Sequence, residues 1–171
     1  MPRPSSLVSL AAIALLGLAG NALAKDKVSV RLQGYAEVPS VASAASGRFK
    51  ATIRPSQGAI DYELSYDGLE GEVRQGHIHF GQMGVNGGIM VWICQTTFNA
   101  DPTGLAPTCL QSGTITGTLT AANVIGPTGQ GVDAAEFAEL VAAIRAGVAY
   151  ANIHTTKFAS GELRGQLAVS E

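Results

Sequence analysis

No cluster of lysine and arginine occurs in this chain, and its eleven basic residues stand against thirteen acidic ones. Nucleic acid is therefore not an expected partner, since binding it needs a basic face. No long apolar run follows residue 24, so residence in a membrane is not implied for the rest of the chain. There is no C-x-x-C pair, no Ser-His-Asp set, no paired acid and base carboxylates and no phosphate loop. The familiar routes to redox, hydrolytic and nucleotide chemistry are absent, and any enzyme here would have to rest on a metal alone. Nor is there an internal repeat, or a linker long enough to divide the chain.

What is present begins with "MPRPSSLVSLAAIALLGLAGNALA", residues 1–24. Arg3, an apolar run from Leu7 to Ala19 and the triplet Ala22-Leu23-Ala24 match the three parts of a signal peptide. The alternative is an uncleaved anchor. Cleavage after Ala24 would leave 25–171 as one domain, periplasmic or secreted. Two cysteines remain, Cys94 and Cys109, fifteen positions apart. In an oxidising compartment one bridge is the simplest use, worth about 3 kcal/mol in the chain-entropy model. A copper or redox thiol pair is the other.

The period of the chain is mostly two. Val28, Val30 and Leu32 alternate with polar residues, as do Phe49, Ala51 and Ile53, and then Ile60, Tyr62, Leu64 and Tyr66. Such alternation predicts half-buried strands with one wet face. Turn chemistry separates them, and further strands are predicted at 73–80, 89–95, 112–119, 148–154 and 162–169. About eight short strands predict an antiparallel all-β sandwich or barrel. One stretch has helical spacing: Asp133 and Glu136 form a capping-box pair, and Phe137, Leu140, Val141 and Ile144 follow. One amphipathic helix is predicted over 134–146, ended by Gly147.

The chain has three histidines. Two lie in "GHIHFGQMGVNGG", residues 76–88. On a strand, His77 and His79 point to one face while Ile78 and Phe80 point to the other. The third, His154, ends "VAYANIHT" on the face it shares with Tyr150 and Asn152. If these strands are neighbours, three imidazoles converge, a set that suits zinc or copper and leaves a position for water or a ligand. Three histidines on the wet faces of two strands would look the same in sequence. No carboxylate is obviously a fourth ligand. Glu162 is the best candidate to orient an imidazole from behind. In "SGELRGQL", Glu162, Arg164 and Gln166 share a strand face. The Glu162–Arg164 pair reads as an ion pair or cross-strand clamp, or else as a ligand-recognition pair.

Three stretches come in a familiar order: "LQGYAEVPSVASAASG", "GHIHFGQMGVNGGIMV" and "GVAYANIHTTKFASGELRGQL". They resemble the CHRD domain, the module named after chordin and also found in exported bacterial proteins. The most specific parts are H-I-H-x-G, A-Y-x-N-x-H-T and G-E-[IL]-R-G-Q. The resemblance implies an immunoglobulin-like, Greek-key sandwich outside the cytoplasm. It carries the pattern positions onto His77, His79 and His154, and onto Glu162, Arg164 and Gln166, without fixing their roles. A looser likeness, over Gly76–Gly81, is to the copper-ligand strand of Cu,Zn superoxide dismutases. Here there are no histidines for a second metal and no arginine-bearing active-site loop. Three functions are thus expected in order: a domain holding one copper or zinc ion, a metal-free module that contacts another extracytoplasmic protein, and a copper enzyme with a dismutase-like site.

Overall fold

A computed structural model describes residues 26–170, and the signal peptide expected at 1–24 lies outside them. The alternating stretches all become strands: β1 (Asp26–Gln33), β2 (Ser46–Arg54), β3 (Ala59–Asp67), β4 (Val73–Phe80), β5 (Gly88–Cys94), β6 (Gly113–Leu119), β7 (Ala149–Thr155), β8 (Leu163–Leu167) and the short β9 (Val169–Ser170). They form one antiparallel sheet in the order β5-β4-β7-β8-β1-β2-β3-β6, with β9 added beside β1. β4 and β7, far apart in sequence, are adjacent: His77 pairs with Asn152 and His79 with Tyr150.

The sheet curls on itself until β5 and β6 face each other, giving a nearly closed all-β barrel. No ladder joins those two strands. Instead, the Cys94–Cys109 disulfide staples the seam, and the Tyr62 hydroxyl donates across it to the Ile93 carbonyl (2.7 Å). Gly117 makes that crossing possible. On β6 it pairs with Tyr62 of β3, and a Cβ there would lie 2.5 Å from the Tyr62 hydroxyl oxygen.

The inward residues of the alternation fill the barrel. Leu32, Phe49, Ile53, Ile60, Leu64, Ile78 and Ile93 are fully buried. Each contributes about 1.5–3 kcal/mol relative to exposure. The helix α1 (Phe137–Arg145) adds Leu140 and Ile144 to the same core. It starts later than its capping-box pair predicts. Ala135 sits at φ +68°, and its N–H donates to the Val124 carbonyl (3.0 Å). That holds the chain in a turn before Phe137. The Glu136 carboxylate does accept from the Asp133 N–H (2.7 Å), but no side-chain cap closes the helix start.

Candidate metal centre

The outer face of β5-β4-β7-β8 carries His77, His79, Trp92, Tyr150, Asn152, His154 and Arg164, and alternation alone makes it a wet face. It is buried. His77 is 0% exposed, and His79 and His154 are 8% exposed. Segments from three distant places roof it, and polar side chains of the face hold two of them there. Arg164 donates to the side-chain oxygen of Asn86 (3.0 Å) and to the carbonyl of Val85 (2.7 Å). Gln166 donates to the Gly81 carbonyl (2.9 Å). Asn152 donates to the Glu37 carboxylate (2.5 Å). Thr96 and Asn99 close a turn beside Arg74 on β4.

Under this roof the three histidines meet. One ring nitrogen of each lies within 4.8 Å of the other two. Their tautomers follow from their partners. His79 Nδ1 contacts the Gly87 carbonyl and His154 Nδ1 the Ala159 carbonyl, each at 2.9 Å. A carbonyl only accepts, so both Nδ1 atoms carry the proton and both Nε2 atoms keep a lone pair. His77 Nδ1 stands 3.3 Å from His154 Nε2 and donates to it. The Nε2 atoms of His77 and His79 are buried with no hydrogen-bond partner. Buried nitrogen without a partner is costly, and a metal ion would satisfy it.

Burial is also the main reason that these rings stay neutral. It lowers His77 to about 2, helped by the neighbouring His154 and His79. His79 falls to about 4, because burial and the His154 and Arg164 charges outweigh the bond to Gly87. His154 is lowered too, by burial against the bond to Ala159. Neutral imidazole is the form that ligates a metal.

The surrounding aromatic residues fix the rings in place. His79 stacks on Tyr150 (4.7 Å between centroids, planes 2° apart), and the Arg164 guanidinium lies 3.4 Å from the Tyr150 ring centre. Trp92 stands edge-on to His77 at 4.3 Å. The Gly87 N–H donates to the Tyr150 hydroxyl (3.2 Å), so one residue anchors both partners of the stack.

Glu162 and Arg164 do not pair. Glu162 precedes β8, and its carboxylate accepts from Ser43 Oγ (2.7 Å), the Glu70 N–H (2.8 Å) and Thr155 Oγ1 (2.7 Å). It clamps two loops to β7 and reaches no imidazole. Backbone carbonyls orient the rings instead, and a carbonyl leaves no mark in the sequence. The residue that sequence reasoning passed over is Glu37, buried at 6% exposure. Burial raises its carboxyl to about 7 against the lowering effects of Arg164, the Val38 N–H and Asn152. Its signal was an acid inside the otherwise small and apolar stretch "GYAEVPS".

An all-β barrel carrying a roofed, three-imidazole pocket on its outer face is the class of protein that the fold and site define. The family model described as the CHRD domain matches residues 28–167, and the chain belongs to that family. No curated protein and no solved structure matches the chain.

Proposed function

We propose that this chain is an extracytoplasmic CHRD domain that holds one transition metal ion, copper or zinc, through His77, His79 and His154. The observation that carries the reading is the convergence of three buried imidazoles whose nitrogens lie within 4.8 Å of one another, two of them locked by carbonyls in the ligating tautomer. Three neutral ligands leave a coordination position for water or a second ligand, which suits storage, delivery or sensing of the ion. The leader-like sequence at 1–24 and the Cys94–Cys109 bridge support a location outside the cytoplasm.

A metal-free structural role has one observation in its favour. His79 and His154 each tie a covering loop to the barrel. Titration of the purified chain with Cu²⁺ and Zn²⁺, read by the fluorescence of its single tryptophan beside His77, separates the two. The metal reading expects one site of micromolar affinity or better, lost in His77→Ala, His79→Ala and His154→Ala. A site indifferent to His154→Ala, or no site, leaves the structural role standing.

A further inference from the structure

A surface cleft of about 370 Å³ opens beside the pocket, lined by Arg74, Gln75, Phe98, Asn99, His154 and Ala159 among others. Of the three histidines, His154 is the one that lines it. Its volume lies at the small end for a ligand site. No carboxylate lines it, while Arg74 does, and among the described residues Arg74 forms no ion pair. The guanidinium is held over the Phe98 ring, 4.6 Å from its centre, a contact that fixes the cation without neutralising it. Gln75, Asn99 and Thr156 add neutral polar groups.

We propose that this cleft admits a small anion (an inorganic anion or a simple carboxylate) to the open position of the ion held by the three histidines, with Arg74 supplying the charge that selects it. The inference rests on the metal reading above. Three neutral imidazoles leave the charge of a divalent ion uncompensated, so the ligand that balances it is an anion. The route that touches His154 carries a free positive charge and no negative one. Electrostatic selection through such a cleft acts on small charged ligands and weakens with salt.

The probe is azide, added to protein shown by elemental analysis to carry one Cu²⁺ per chain. A ligand-to-copper absorption band should appear, with a dissociation constant that rises with ionic strength. Arg74→Ala should weaken azide binding roughly fivefold while copper content stays at one, the scale of a single partly screened charge pair. Asn99→Asp, a nearly isosteric change at the same mouth, should weaken it similarly and guards against misfolding of the arginine variant. A copper-loaded protein whose spectrum ignores azide, or equal azide affinity in both variants and the parent, overturns the cleft alone. A chain that takes up no copper overturns the metal reading and the cleft with it.

Discussion

Gly87 concentrates the demands of the site in one residue. Its carbonyl accepts from His79 and its N–H donates to Tyr150. A Cβ at that position would fall 1.7 Å from the Phe80 carbonyl oxygen, so any side chain moves the loop. Gly87→Ala is expected to leave the barrel folded, since the loop lies outside its core, yet to weaken metal binding by 10- to 100-fold, the usual effect of losing a group that orients a ligand. Metal titration alongside a thermal melt checks this. An unchanged affinity would mean that the carbonyl does not set the ring. The sequence singles out the glycines of this stretch as places of close approach, but which atom approaches which is a property of the fold. Glu37 and Arg74 are hidden for a related reason. Their importance depends on lying opposite β7, which no local pattern places, although an acid in the stretch "GYAEVPS" marks Glu37 as unusual.

Among the elements, the strands were the most legible. Inward residues at every second position read directly as a sheet face, and β4 has the bounds its alternation predicts. The helix start was less so, because the positive φ of Ala135 and its bond to Val124 are tertiary. Alternation left open whether the face of β4 and β7 is wet or covered, because its roof comes from segments that alternation cannot place. The seam between β5 and β6 offers a test at this scale. Gly117→Val drives a branched side chain into the Tyr62 ring and breaks the hydroxyl's reach to Ile93. Overpacking of this kind costs about 1–3 kcal/mol. Tyr62→Phe removes only the bond and leaves a buried carbonyl unpaired, a cost of about 1–3 kcal/mol. In the double variant Gly117→Val/Tyr62→Phe the two costs should fall short of their sum, because both act on one contact. Urea midpoints measure all three, and strict additivity would show that Gly117 and Tyr62 act independently.

For the whole molecule, the buried titratable groups set how the metal-free fold responds to acid. The three histidines have folded-state values below the 6.5 of a free imidazole. Under pH 6.5 the unfolded chain therefore takes up protons that the fold refuses, and stability is lost as pH falls. His77 and His79 each contribute a loss on the order of 1 kcal/mol one unit below that point, and His154 acts in the same direction. Glu37 acts oppositely: its carboxyl is raised from 4.5 to about 7, so its contribution is full below 4.5 and fades as pH rises through 7. Three groups outweigh one, and the metal-free protein should melt at a clearly lower temperature at pH 5.5 than at pH 7. Glu37→Gln should deepen that drop, because it removes the opposing group. A melting temperature flat from pH 7 to 5.5 would mean that the imidazoles are reachable by protons in the folded state.

The adjacency of β4 and β7 also dictates an order of assembly. A chain made from its N-terminus presents β1 to β3 first, then the β4–β5 hairpin with His77 and His79, and then the fifteen-residue bridge. All of these are local in sequence and can form as they emerge. The strand bearing His154 arrives last but two, and it is flanked by β4 on one side and β8 on the other. If the three histidines hold an ion, the nascent chain offers it two ligands without a third. On the metal reading proposed above, loading belongs to the finished domain, after its final third has closed over the early hairpin.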